Sequence, residues 1–381
     1  MERWRIQLAI VGLAGVMDTA FLLGLIAGYA KSLGAGDEQA GLIAGLYSMV
    51  ALPASIAAGI IVDKIGRKRS LAIGLAWDTL SMTGYALASS PTQLAAVRGL
   101  HALGGSLVYP AYMAIVGDTA PKGRLGSSTG RYLSVVAASV ALGSLSSAAA
   151  VSRLGFKPSF LLIALILLAG LLSTRGLPET GSRGGSLARG LSEARGLVAG
   201  AGILIFLLYT GFGAIVGGMP QALLNDGLAR AEEEASALTG AAIGVATLAS
   251  IPLFPLAGSR LDKGQLRLVT AASAAIGLAG LWIALTRGTP GILAGFTLYG
   301  ATIAGLMTAS TYLAAQAPRE ARGTSMAIQQ VANIAGVAVG APIGGVASTH
   351  GLAGVAWVVA ASLLVAAAYT LTLPSDTTPR G

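Results

Sequence analysis

The chain has 381 residues, 54% of them hydrophobic and 11% charged, with a mean hydropathy of +0.74. Soluble domains carry about 25% charged residues, so water is excluded as the solvent for most of this surface. No cysteine is present, which excludes disulfides, thiolate metal sites and cysteine nucleophiles, and the net charge of +9 is explained by where its bases lie.

Twelve apolar segments follow one another, at 6–30, 39–62, 71–89, 93–117, 132–152, 159–174, 197–218, 235–258, 268–286, 291–315, 323–348 and 351–373. They run roughly 15–26 residues, about the length of a bilayer-spanning helix. They are too long and too little alternating for barrel strands. An all-α membrane protein is expected.

The first segment follows Arg3 and Arg5. It is too long for a signal peptide and has no clear small-residue cleavage site, so it is read as a span. It carries Asp18. Between the second and third spans lies "GIIVDKIGRKRS", Gly59 to Ser70, which gathers one acid and four bases. The third span holds Asp78, and the fourth holds Arg98 and His101, which share a helix face. These four are the ionisable residues clearly inside spans, and each costs roughly 2.5–3.5 kcal/mol at a helix centre without a partner.

After the sixth span comes "STRGLPETGSRGGSLARGLSEARG", Ser173 to Gly196, the longest polar interruption. It predicts an amino-terminal six-helix bundle at 1–174, a cytoplasmic linker at 175–196 and a carboxy-terminal bundle at 197–381. The eighth span ends in "GSRLDKGQLR", Gly258 to Arg267. The eleventh carries a ladder of small residues, Gly336, Gly340 and Gly344, and the fifth carries Ser139, Gly143 and Ser147. Both suit close helix packing in lipid.

Nineteen of the 25 Lys and Arg fall on the side shared by the termini, Asp63–Ser70 and the linker. Five (Lys31, Arg153, Lys157, Arg230 and Arg287) fall on the other side. That asymmetry predicts cytoplasmic termini and needs no nucleic acid to explain it. The halves also repeat. At an offset of 199, Gly41, Gly45, Pro53, Gly59, Asp63 and Lys64 align with Gly240, Gly244, Pro252, Gly258, Asp262 and Lys263. At an offset of 197, Pro121, Gly126, Ser128 and Gly143 align with Pro318, Gly323, Ser325 and Gly340. Parallel repeats of this kind are a transporter arrangement, with substrate near the midplane.

Asp63 and Asp262 close their helices at the carboxyl end, where a carboxylate opposes the helix dipole. Each is expected to seek the N-terminus of another helix. The small, hydroxyl-rich starts available are "EARGTSMA" (Glu320 to Ala327) and "GRLGSSTG" (Gly123 to Gly130). Arg67, Lys68 and Arg69 are placed to pair with Asp118. Such contacts would latch the halves when the cytoplasmic side is shut; the plainer reading is that the bases only set topology.

Gly59 to Leu71 resembles the cytoplasmic signature of the major facilitator superfamily, G-x-x-x-D-[RK]-x-G-R-[RK]-x-x-L, with Gly59, Asp63, Lys64, Gly66, Arg67, Lys68 and Leu71 in its defined places. The resemblance implies two pseudo-symmetric six-helix bundles and a gating role for the motif. "RGLHALGGS", Arg98 to Ser106, is similar to the family's R-x-x-[QH]-x-x-G pattern, which implies a link to proton movement. The fifth helix, "ALGSLSSAAA", lacks the Gly-Pro-x-x-Gly-Gly of the drug-antiporter branch, which weakens that assignment.

The functional expectation is a proton-coupled secondary transporter exporting a small lipophilic or cationic solute. Asp18 is the expected proton acceptor, held between burial, which favours the neutral acid, and the charge of Arg98, which favours the carboxylate. His101 relays a proton or donates a hydrogen bond. Against this stands a static ion pair locking the bundle, and Asp78 is read as a structural hydrogen-bonding residue. The carboxy-terminal bundle, without deep charges, offers an aromatic and amide wall: Tyr209, Phe212, Tyr299, Thr302, Gln329 and Asn333, with Met307, Tyr312 and Gln330 nearby. Phe21 and Tyr109 are the amino-terminal cavity candidates. No phosphate-binding loop, metal constellation or hydrolytic site is legible, so neither an ATP-driven pump nor an enzyme is expected. The proton is the expected coupling ion, with no cofactor, and a monomer in the plasma membrane is expected. A symporter or uniporter for a nutrient, metabolite or lysolipid uses the same parts. A non-transporting membrane sensor is the third reading and would be expected to carry an added soluble domain.

Overall fold

A computed structural model describes residues 3–23, 25–181, 186–286 and 288–373. Arg287, residues 182–185 of the expected linker and residues 374–381 of the expected carboxy-terminal bundle lie outside the described residues. The described residues are almost entirely helical, in the order α1 (Arg3–Ala14), α2 (Met17–Leu23), α3 (Ile26–Ser32), α4 (Asp37–Ile65), α5 (Arg67–Leu87), α6 (Pro91–Thr119), α7 (Leu125–Leu154), α8 (Phe156–Ser173), α9 (Leu187–Asn225), α10 (Glu232–Ser250), α11 (Leu253–Leu261), α12 (Leu266–Thr286), α13 (Gly288–Ala315), α14 (Arg322–Ala347) and α15 (Gly351–Thr372).

Nine helical stretches among the described residues are long and apolar enough to cross a membrane, or ten if α10 and α11, bent by 49°, form one span. The stretch Arg319–Thr372 holds two helices, α14 and α15, separated by a short 3₁₀ turn at Ser348–His350. α5 falls outside those nine because Asp78, Thr79, Ser81 and Thr83 polarise its middle. With α10 and α11 counted as one span, α5 added and α14 separated from α15, the described residues hold twelve spans, as the apolar runs predict. Many large apolar side chains point outward; Leu87 and Trp357 are each 75% exposed. A surface of that kind is stable against hydrocarbon, not water.

Three details depart from the runs read in the sequence. The first span is broken, with α1 ending at Ala14 and α2 starting at Met17. The eighth breaks at Ile251–Pro252, where proline supplies no backbone N–H and strains the preceding turn. Its counterpart Pro53 stays inside the continuous α4. The second half of the expected linker is helical, because α9 begins at Leu187 among good helix formers with an Arg189–Glu193 pair at 2.8 Å and i,i+4 spacing.

The chain forms two compact units. The first comprises Met1–Thr119, Val135–Glu193 and Pro318–Ile328; the second comprises Ala120–Ser134, Ala194–Ala317 and Gln329–Gly381. In the first, α5 packs on α6, α8 and α4, and α1 lies on α8. In the second, α13 packs on α12, α10 and α11, with α15 against α12. The glycine ladder of α14 seats on α9: a Cβ at Gly336, Gly340 or Gly344 would strike the carbonyls of Phe206, Thr210 and Ala214. On α7, Ser139 donates to the Leu13 carbonyl at 2.6 Å, and a Cβ at Gly143 would strike Met17.

Candidate functional site

α4 and α5 meet at Gly66, whose φ of 102° only glycine adopts easily. The turn leaves Asp63 in the last turn of α4 and Arg67 as the first residue of α5. In the first unit, Asp63 accepts hydrogen bonds from the amides of Gly323 (2.8 Å) and Thr324 (2.7 Å) and from the Thr324 hydroxyl (2.7 Å). These are first-turn donors of α14 with no intrahelical acceptor. Gly59 lets α4 come this close, since a Cβ there would overlap Ala327 and Thr324.

Arg67 is fully buried and each of its three guanidinium nitrogens has a partner. It pairs with Asp63 at 2.9 Å and with Asp118 at 3.2 Å, and donates to the carbonyls of Val62 (3.2 Å) and Arg319. Arg322 closes the group by pairing with the second oxygen of Asp118. Two acids and two bases therefore balance inside the protein, the condition under which buried ion pairs are tolerated. Lys68 does not join them. Its ammonium bonds to the Arg175 carbonyl at 2.8 Å and its amide to Glu179 at 3.1 Å, because it faces the solvent side of α5.

In the second unit the same device recurs. Asp262 accepts from the amides of Gly126 (2.6 Å) and Ser127 (2.9 Å), and from the Ser127 hydroxyl, at the start of α7. A Cβ on Gly258 would fall on the Gly126 carbonyl.

A second polar cluster is buried among α2, α4, α5 and α6 in the first unit. Asp18 lies just after the break between α1 and α2. One oxygen of its carboxylate accepts from the Thr19 amide at 2.6 Å, and the other lies 2.9 Å from His101 Nε2. Asp78 Oδ1 stands 3.7 Å from the same nitrogen. His101 Nδ1 meets the Tyr85 hydroxyl at 3.2 Å, and its ring packs edge-on against Tyr47 and Tyr85. Arg98 is buried with its guanidinium 4.8 Å above the Tyr47 ring, a cation–π placement, and its Nε and Nη1 have no hydrogen-bond partner.

The expected Asp18–Arg98 pair is therefore replaced by an Asp18–His101 pair. The reason is depth. His101 is one turn further along α6, a rise of about 4.5 Å, and is level with both aspartates, while Arg98 lies against the face of Tyr47. The sequence reads Asp78 only as a structural hydrogen-bonding residue, and it left out Tyr47, Tyr85 and Arg322. Arg322 was legible as a base at the start of the helix that Asp63 seeks, but the phenols had no signal beyond composition. Asp18, Asp78 and His101 offer three ligand atoms within 4.8 Å of one another, the one group among the described residues with the donors for a metal ion.

Of the cavity candidates, Phe21 is buried and Tyr109 half-buried in the first unit. In the second unit Tyr209 and Phe212 are half-buried neighbours with ring centroids 5.7 Å apart, and Asn333 hydrogen-bonds to Tyr209. Gln329 is held by Ser310 (3.0 Å) and Thr311 (2.8 Å). Tyr299 is buried with no hydrogen-bond partner for its hydroxyl. Thr302 is spent on packing, donating to the Ser273 carbonyl at 2.7 Å.

Helices that expose apolar side chains and bury paired charges define a multi-span membrane protein of transporter type. The Major Facilitator Superfamily model matches residues 8–311 and 201–381, and the chain belongs to that family, whose members named below are transporters rather than enzymes. It is 25% identical over 165 residues (43% of each chain) to an uncharacterized MFS-type transporter of Methanocaldococcus jannaschii. It is 26% identical over 127 residues (33% of this chain, 24% of the relative) to the tetracenomycin C resistance and export protein of Streptomyces glaucescens. It is 33% identical over 123 residues (32% and 30%) to an uncharacterized MFS-type transporter of Bacillus subtilis. The matches span less than half the length of these curated relatives. Among solved structures, the fold is similar to FucP in its outward conformation (TM-score 0.78, 15% identity, 99% of both chains). It is also similar to the human organic anion transporter MFSD10 (0.76, 15%, 96% and 98%) and to the proton:xylose symporter XylE (0.73, 17%, 97% and 95%).

Proposed function

We propose that the protein is a secondary active transporter that exports a small lipophilic or cationic solute by alternating access, in exchange for protons. The observation that carries this reading is the buried Asp18–His101 pair. A titratable pair inside a span is costly and is kept where protons or ions move. The candidate wall of the second unit, Tyr209, Tyr299, Gln329 and Asn333, carries no charge and suits a solute without a strong anionic group. Partial likeness to a tetracenomycin C resistance and export protein favours outward transport.

In this reading Asp63 and Asp262 are cytoplasmic latches. Each holds a helix start drawn from the other half of the sequence, and each releases it when the cytoplasmic side opens. The excess of Lys and Arg around the motif and linker puts both termini in the cytoplasm, with the protein a monomer in the plasma membrane. A proton symporter for a neutral polar solute is the second reading, favoured by the amides of Gln329 and Asn333.

The test is a proteoliposome assay with an internal pH dye and a panel of lipophilic cations, neutral drugs, sugars and lysolipids, comparing wild type with Asp18→Asn. Proton flux driven by a lipophilic or cationic compound, and lost in the variant, supports the reading. Sugar-driven flux in the direction of the solute would replace it with the symporter.

A further inference from the structure

We propose that Asp18, Asp78 and His101 form a binding site for a divalent first-row transition metal ion, held by one oxygen of each carboxylate and by the imidazole Nε2. This goes beyond the proton-coupled reading and does not depend on it. The donors come from α2, α5 and α6 of the first unit, and residues 18, 78 and 101 have no spacing that marks them as a set in the sequence. All three are at most 1% exposed, and Tyr47 and Tyr85 pack on the imidazole.

The three ligand atoms lie within 4.8 Å of one another. Nε2 stands 2.9 Å from Asp18 Oδ2 and 3.7 Å from Asp78 Oδ1. Donors about 2.0–2.2 Å from one ion are at most about 4.4 Å apart, so a shift of roughly half an ångström seats all three. Asp78 Oδ1 points to a ligand independently: it is buried without a hydrogen-bond partner and too far from Nε2 to accept from it. An oxygen left so is costly, and a metal ion shared with Nε2 satisfies it. The surrounding bonds hold the other two donors in place. The Thr19 amide fixes one oxygen of Asp18 at 2.6 Å and leaves the other for the metal. The tautomer with the imidazole proton on Nδ1 donates it to the Tyr85 hydroxyl, 3.2 Å away, and turns the Nε2 lone pair to the aspartates. Ligating histidines are held in this way by their other nitrogen. Charge agrees. Two carboxylates face one permanent cation, Arg98, which lies on the Tyr47 ring and, among the described residues, pairs with neither aspartate. A divalent ion more than offsets that excess, so an anionic ligand in the position left open completes the balance. The imidazole selects zinc, copper, iron or nickel over magnesium and calcium, which favour all-oxygen sites.

The test uses the full chain, purified in detergent without an affinity tag, stripped of metal by chelator and titrated with Co2+ or Zn2+. Wild type is expected to take up one equivalent, with visible Co2+ absorption from bound nitrogen and oxygen donors. Asp78→Asn and His101→Gln are expected to weaken binding more than about 100-fold, and Tyr85→Phe, which touches only the imidazole, about 10–100-fold. His101 and His350 are the two histidines of the chain. In His350→Gln, zinc-edge X-ray absorption therefore reads imidazole ligation by His101 alone with the site untouched, so the proposal does not hang on a site variant that fails to fold. Zinc bound without imidazole overturns the proposal. So does Co2+ uptake unchanged in Asp78→Asn, or a wild type that binds no stoichiometric metal. Binding is read without transport. Metal bound in a protein that shows no solute-driven proton flux sinks proton coupling and leaves this site standing. Coupled flux in a protein that takes up no Co2+ does the reverse.

Discussion

The two carboxylate contacts with helix starts are built on one plan and finished differently. Asp63 and Asp262 each take two backbone amides and one hydroxyl from the start of a helix, with a glycine four residues earlier allowing the approach. Around Asp63 the contact is reinforced by Arg67, Asp118 and Arg322. At the corresponding positions of the second copy, by the same offsets of 199 and 197, stand Leu266, Ala315 and Leu125. One contact sits in a closed ionic network; the other, among the described residues, is an acid on a helix start without an ion pair. A shared ancestry of the halves explains the common part. The difference teaches that the helix-start contact is the minimum device, and that the charges beside Asp63 add strength or control.

That contrast can be broken by substitution, and the largest effect belongs to Arg67. Arg67→Met leaves Asp63 and Asp118 short of their buried cation, and the expected loss is about 3–5 kcal/mol of stability, read by equilibrium unfolding in mixed detergent. The corresponding Leu266→Met change should be nearly silent. An equal effect at both positions would erase the distinction. Next comes Asp262→Asn, which weakens charge-assisted bonds to Gly126 and Ser127 and should cost about 1.5–3 kcal/mol. Asp63→Asn should cost more, because Arg67 loses a partner as well.

Gly258→Val and Gly59→Val test the shared part. Both force a side chain into a neighbouring backbone or methyl group, and similar penalties of about 1–3 kcal/mol are expected. A difference larger than that range would mean that the approach of α11 to α7 is not equivalent to that of α4 to α14. The smallest effect is expected at Lys68→Ala, within about 0.5 kcal/mol, since its ammonium reaches only the exposed Arg175 carbonyl.

The unequal finish of the two contacts was only partly legible in the sequence. The docking of Asp63 and Asp262 follows from the dipole at a helix end, and Gly323, Thr324, Gly126 and Ser127 were readable as the small, polar starts that admit it. The apolar runs located the helices for the same reason: a span must satisfy its own backbone. What escaped were contacts set by depth and rotation. Whether Asp18 meets Arg98 or His101 depends on a single turn of α6, and on a break in the first span that Gly15 and Val16 do not announce. The half-buried Lys68 beside the wholly buried Arg67 likewise depends on which way α5 turns. Hydroxyls such as Thr302 resemble cavity residues in composition, yet Thr302 bonds to a neighbouring helix because its face of α13 points there.

The central claim is that a buried acid of the first unit exchanges a proton when solute binds. The most direct measurement is proton release from purified protein in unbuffered detergent solution on addition of a transported compound, for wild type and Asp18→Asn. The account predicts release from wild type and none from the variant. Equal release from both would place the proton elsewhere and reduce Asp18 and His101 to a structural pair.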